Sequence, residues 1–302
     1  MAKLGKLLKK TLRIKKDQND LQLTHDVIHR LNRLERILSS LHQVQVDNYV
    51  DRILSEPRYK DPLRLHSSGF KGTSQFDEDG ILQEILNRIG EKHRTFVEFG
   101  VGDGFENNTL YLLHQGWRGL WMEFKDEFAR QIRDVFSSAI DDSTLIFRQD
   151  FLTIDNINSI IGSAGFQGEI DVLSIDVDGN DYHFWKTVDV INPRIVIIEY
   201  NVKFRPPVKW IMKYNPDHKF DKSDYCGASL KSLEILGRNK GYSLVGCGLT
   251  GANAFFVRDD LAGDQFKQPY TAENHYEPCR YPLAWRYRSG MGSSFGPTEE
   301  DT

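Results

Sequence analysis

Five short apolar runs separated by helical patterns constrain this chain more than any other feature. Thr95–Phe99, Gly119–Glu123, Thr144–Arg148, Ile170–Asp176 and Arg194–Glu199 read as strands. The last two are almost continuously apolar, as parallel strands covered on both faces must be. Helical spacing fills the gaps at about 78–90, 106–115, 126–138, 153–163 and 180–188, so the expected fold is a doubly wound α/β sheet. A further helix at about 227–240 leads to Tyr242–Cys247 and Asn253–Arg258. These two runs flank a glycine-rich turn, which predicts an antiparallel hairpin closing the sheet.

Ahead of that sheet the pattern changes. Among residues 1–16 there are seven Lys or Arg and no acid, so the net charge of −4 leaves −11 on the remainder. Leu4, Leu7, Leu8, Leu12 and Ile14 share one arc of a helix and most of the basic residues the other. That pattern fits an anionic membrane surface, and equally a solvated tail or a helix packed on its own domain. In residues 17–70, Val27, Leu31, Leu34, Leu38 and Leu41 recur at spacings of 4, 3, 4 and 3. This seam suits a short coiled coil and homo-oligomer formation, or an arm packed on its own domain. The main domain is expected over 71–262, followed by a tail over 263–302. With its acidic main domain the chain is not expected to bind nucleic acid. No run is long and apolar enough to span a bilayer, and three scattered cysteines give no disulfide framework. A cytoplasmic protein, peripheral on the inner face of the membrane if the leader binds there, is the expectation.

Ligands of open α/β sheets bind at the carboxyl ends of the strands. Here those ends are acidic: Glu98 precedes Gly100, Gly102, Asp103 and Gly104, and the later strands end at or near Glu123, Asp150, Asp176 and Glu199. A dinucleotide would need G-x-G-x-x-G, but Phe105 stands at the third glycine position, and Asp103 and Glu106 would face the phosphates. S-adenosylmethionine (SAM) carries a sulfonium and an ammonium and no phosphate. It fits Glu98 and Asp103 at its amino-acid end and Glu123 at its ribose.

The segments Ser74–Asp79, Val97–Gly104, Gly119–Glu123 and Leu173–Gly179 together resemble class I SAM-dependent methyltransferases, and within them the FkbM-like group of bacterial polysaccharide and natural-product clusters. The resemblance covers about 72–260. It implies a Rossmann-like seven-strand sheet with SAM as cofactor, Glu98 and Gly100 to Gly104 at the methionine end, Glu123 at the ribose and Asp150 at the adenine amine.

The stretch from Asp176 to His183, with Glu199-Tyr200-Asn201, also looks like the Asp-rich loop of metal-dependent catechol-type O-methyltransferases. It departs from that pattern, since Gly179 stands where their catalytic lysine would be and Asn201 comes one residue late. Either Asp176, Glu199 and Asn201 hold Mg²⁺, or Asp176 contacts substrate or SAM while Asp178 and Asp181 cap the next helix. Asp176 and His183 are the expected catalytic residues, His183 as general base. Between Val202 and Tyr225, aromatic residues alternate with Lys and Arg, a composition suited to covering a sugar acceptor. The expected function is O-methylation of a sugar hydroxyl on a bacterial glycan or lipid-linked glycoconjugate precursor. The alternatives are methylation of a natural product or other small molecule, and a non-catalytic scaffold for glycan assembly.

Overall fold

The structure, a computed structural model, describes residues 2–219, 221, 223–281 and 283, with the side chains of 2–24 and 26 excepted. Residues 1–51 and 52–302 form two compact units. Helix α1 spans Ala2–Leu54, so leader and arm are one continuous helix. The side chains of the amphipathic arc expected in residues 1–16, and the expected tail from 284 onward, lie outside the described residues. No helix among the described residues is long and apolar enough to cross a membrane.

Within the second unit, seven strands form one sheet in the order β3-β2-β1-β4-β5-β7-β6. They are β1 (Thr95–Phe99), β2 (Arg118–Met122), β3 (Leu145–Arg148), β4 (Gly168–Ile175), β5 (Ile191–Glu199), β6 (Tyr242–Cys247) and β7 (Asn253–Arg258). Strands β1 to β5 pair in parallel, and β7 enters antiparallel between β5 and β6. This is the Rossmann-like sheet with a closing hairpin that the sequence predicts. Chain direction across the sheet reverses between β1 and β4, which opens a crevice at their carboxyl ends.

Residues alternate between two cores, as side chains on a strand must. On one face Val97, Phe99, Leu173, Ile175, Val196 and Ile198 meet α6 (Ile157–Ser163), α7 (Asp181–Thr187) and α8 (Leu230–Lys240). On the other, Phe96, Val172, Ile195 and Ile197 meet α2 (Glu78–Ile89), α3 (Leu110–His114) and α4 (Asp126–Val135). Three short helices complete the set: α5 (Ser137–Asp141), α9 (Asp259–Ala262) and α10 (Ala272–His275).

The second unit starts at Arg52, ahead of the boundary expected near 70, because a buried carboxylate ties residues 58–66 to the C-terminal segment. Glu277 accepts hydrogen bonds from Arg58 at 2.9 Å, Tyr59 at 2.8 Å and Arg280 at 2.8 Å, and lies 3.2 Å from His66. Burial opposes its charge, but His66, Arg280 and Arg58 outweigh that and hold it at about 2. The backbone carbonyl of Glu277 also accepts from the Tyr200 hydroxyl at 2.7 Å, which fixes this segment over the end of β5.

Phe96 and Gly119 are partners across β1 and β2, and a Cβ on Gly119 would lie 1.9 Å from the Phe96 ring. The ring therefore packs on bare backbone. Gly119→Ala should destabilise the fold by about 1–3 kcal/mol, the range for overpacking a filled core, measured by urea denaturation. Unchanged stability would contradict this packing.

Candidate active site

Two cavities meet at the carboxyl ends of β4 and β5. The first, of about 420 Å³, is lined by the turn after β1, the ends of β2 and β3, and Asp176 and Asp178 after β4. Glu98, Asp103, Glu106, Glu123 and Asp150 add to its acidic wall, and among the described residues Lys125 is the single Lys or Arg lining it.

The turn after β1 is shaped by contact. Gly100 has φ of 75°, and a Cβ there would lie 1.7 Å from the carbonyl oxygen of Asp176. A side chain would force β1 and β4 apart. Gly102 also has positive φ, at 57°, but a Cβ on it would meet nothing within 4 Å, so its space belongs to the cavity. At Gly104 a Cβ would press on Phe136 at 2.9 Å.

Glu98 lines the cavity, yet both carboxylate oxygens are engaged. They accept from the backbone N–H groups of Asn108 at 2.9 Å and Thr109 at 3.1 Å, and from the Thr109 and Ser174 hydroxyls at 2.5 and 2.9 Å. Burial still pushes its carboxyl upward. These bonds hold residues 105–109 as a turn, which is why α3 begins at Leu110 and not near 106. Glu123 accepts from the N–H groups of Gly102 at 3.1 Å and of Phe124 and Lys125 at 2.9 Å each. It thereby fixes the glycine turn against β2. Asp103 accepts from the N–H of Phe105 at 3.1 Å, and Asp150 is exposed at the rim. Asn107 is buried and lines the cavity with both side-chain polar atoms unpartnered, an orphan amide suited to a polar ligand.

Asp176, Asp178 and Glu199 each present a carboxylate oxygen within 4.8 Å of the others. Burial pushes Asp176 and Glu199 well above the ordinary carboxyl range, with the charges of Asp181 and Asp178 adding at the first and that of Asp176 at the second. Asn201, the third expected metal ligand, is not one of these three carboxylates. Asn201 is committed elsewhere, donating to the carbonyls of Asp224 and Cys226 at 2.9 Å each and accepting from the N–H of Lys203 at 3.2 Å. Asp178 takes its place, in left-handed backbone with φ of 57°. The alternative in which Asp178 caps a helix also fails, because Asp181 alone closes this loop, accepting from Val177 at 2.8 Å and Gly179 at 2.9 Å.

His183, the expected general base, is engaged outside the two cavities. Its Nε2 sits 2.7 Å from the carbonyl of Met212 and its ring packs edge-on against Tyr182 and Tyr214. It pins the 202–225 insertion to α7 and lines neither of these two cavities. The imidazole that does line the first cavity is His218, whose Nε2 donates to the carbonyl of Asp178 at 3.1 Å. In the sequence His218 is one residue of the 202–225 insertion, with no motif around it. Its neighbour Gly179 was the available signal, since a Cβ there would lie 2.3 Å from the His218 ring.

The second cavity, of about 520 Å³, shares Asp178 with the first and is walled by Glu199, Arg205, Tyr276 and Tyr281. The insertion contributes one side. The other comes from the C-terminal segment anchored through Glu277, a wall the sequence did not announce.

The Ser74–Asp79 motif builds the back of the first cavity. Gln75 and Asn253 line it, and Asn253 donates to Glu78 at 2.9 Å. Asp79 accepts from the N–H groups of Gly72, Thr73 and Ser74 at 2.7, 2.6 and 2.8 Å. Asp77 accepts from Leu249 at 2.9 Å, while its Oδ1 is buried without a partner. Burial, with Glu78 adding, pushes Asp77 up to about 8.

Neither protein-family models nor curated proteins give a match to the chain. Among solved structures, it is similar to the N-terminal domain of EvdMO1 with SAH bound, at 14% identity over 61% of this chain and 80% of that one, TM-score 0.40. An O-methyltransferase from Bacillus cereus in complex with SAH is similar at 18% identity over 70% and 95%, TM-score 0.43. A SAM-dependent methyltransferase from Clostridium acetobutylicum is similar at 11% identity over 59% and 89%, TM-score 0.37.

The Asp77 carboxyl carries a pH signature. The native state keeps a proton there that the unfolded chain releases above the ordinary carboxyl range, so stability falls as pH rises from about 4 to about 8. Asp77→Asn keeps the shape and cannot ionise. Its melting temperature should fall less between pH 5 and 8 than that of the wild type, followed by scanning calorimetry. Equal slopes would contradict a protonated Asp77.

Proposed function

We propose that the chain is a SAM-dependent O-methyltransferase acting on a sugar hydroxyl of a glycan or lipid-linked glycoconjugate precursor. The observation that carries the cofactor assignment is the charge of the first cavity. A wall of carboxylates around a glycine turn, with Lys125 as its lone Lys or Arg among the described residues, attracts a sulfonium and an ammonium and repels a pyrophosphate. The space at Gly102 and the orphan amide of Asn107 fit an adenosyl amino acid lying across the turn. In this reading Glu123, just after β2, would accept from the ribose hydroxyls, and Asp150 would meet the adenine amine.

When bound, SAM supplies a methyl group on a sulfonium for in-line transfer to an oxygen. The chain's own residues prepare that oxygen. Asp176, Asp178 and Glu199 stand where the two cavities meet and form a hard-oxygen donor set suited to Mg²⁺. Bound there, the ion would orient the acceptor oxygen and lower its pKa. Because His218 uses Nε2–H toward the Asp178 carbonyl, its basic atom is Nδ1, the group available to take the hydroxyl proton. The second cavity is the acceptor chamber. Tyr276 and Tyr281 offer flat faces for a pyranose ring, and Arg205 offers a cation for a carboxylate or phosphate on it.

Removing the ribose acceptor should be felt directly. Glu123→Ala should weaken SAM binding by about 1.5–3 kcal/mol, the scale of a charge-assisted pair, measured by titration calorimetry. Unchanged affinity in a folded variant would remove the cofactor assignment. If the carboxylate trio holds Mg²⁺, EDTA should abolish methyl transfer to sugar acceptors and added Mg²⁺ should restore it. Full activity in EDTA would instead leave Asp176 as a direct contact to the acceptor without a metal.

A further inference from the structure

The described side chains of α1 carry an apolar face left in water. Val27, Leu31, Leu34, Leu38 and Leu41 are 48%, 58%, 55%, 66% and 58% exposed, and Ile28, Ile37 and Val44 beside them are 51%, 47% and 57% exposed. Their 4, 3, 4, 3 spacing sets Leu31 and Leu38 at the a positions of a heptad and Val27, Leu34 and Leu41 at the d positions. A continuous aliphatic stripe of this kind is an interaction surface, unlike singly scattered apolar residues.

Charge selects the occupant. In this heptad Arg30 occupies a g position and Glu35 the e position of the following turn, and both are exposed. In a parallel pair of identical helices, g faces the e position five residues on in the other chain. Arg30 of each copy therefore meets Glu35 of the other, twice by symmetry. The antiparallel alignment that sets Leu31 against Leu41 and Leu34 against Leu38 brings Glu35 against its own copy, a like-charge contact. The same flanks put Ile37 beside His42 and Val44 beside Tyr49 in the parallel pair, which extends the apolar contact.

We propose that residues 27–41 dimerise with a second copy of this chain as a parallel, in-register helical pair closed by reciprocal Arg30–Glu35 contacts. Sedimentation velocity on the full chain across a concentration series tests this. The wild type should sediment at twice the monomer mass, and Leu34→Asp/Leu38→Asp as a monomer. Arg30→Glu and Glu35→Arg should each raise the dimer dissociation constant about three- to tenfold. The double exchange Arg30→Glu/Glu35→Arg should return it to within about twofold of wild type, since the pair is re-formed with its signs reversed. A wild type that stays monomeric, including one that instead floats with anionic vesicles through this stretch, would overturn the proposal. So would a dimer unaffected by the two aspartates, or a double exchange that restores nothing.

Discussion

The closest constraint in the molecule is between two backbones. Where β1 ends, Gly100 lies so near the Asp176 carbonyl that a Cβ would come within 1.7 Å, so β1 and β4 stay adjacent to their last residues. The turns beyond them then diverge to opposite faces of the sheet. The crevice, the glycine turn that floors it and the position of Asp176 at its edge all follow from that approach. Glu98 and Glu123 extend the same logic. Each spends its carboxylate on backbone N–H groups of the adjoining turns, so acids expected to meet a ligand first serve as braces that fix the cavity's shape.

Concentrating so many carboxylates in a partly dry site has an energetic consequence. Burial and nearby acids push up Asp176 and Glu199, and burial pushes up Asp77 and Glu78 as well, with the charge of Glu78 adding at Asp77 and that of Asp79 at Glu78. Buried acids without cationic partners favour the neutral form. Glu277, surrounded by Arg58, Arg280 and His66, is a buried acid with cationic partners and stays ionised. One buried acid thus fastens the C-terminal wall of the second cavity, while the cluster between the cavities keeps unspent capacity for a cation or a proton.

Much of this was legible in the sequence. Strands β1, β6 and β7 coincide with their apolar runs to the residue, because buried strands bounded by turns leave an unambiguous pattern. Helix α3 was placed four residues too early, since the bonds from Glu98 to Asn108 and Thr109 that hold the turn open are tertiary and leave no period. The same limit explains the histidines. His183 sits in a helix next to the acidic loop, but its ring turns to the Met212 carbonyl, while His218 arrives from an insertion about 40 residues away. Asn201 was chosen for its spacing after β5. The left-handed backbone at Asp178 has no unique signature in residue type, because aspartate is enriched there but most aspartates still lie elsewhere. The Glu277 wall depends on contacts more than 200 residues apart.

The central claim is that the first cavity takes a cationic adenosyl amino acid and not a phosphate-bearing dinucleotide. Titration calorimetry of the full chain with SAM and with NAD⁺ under the same conditions tests it most directly. The account predicts saturable one-to-one binding of SAM and none of NAD⁺. Binding of NAD⁺, or no binding of SAM, would contradict it.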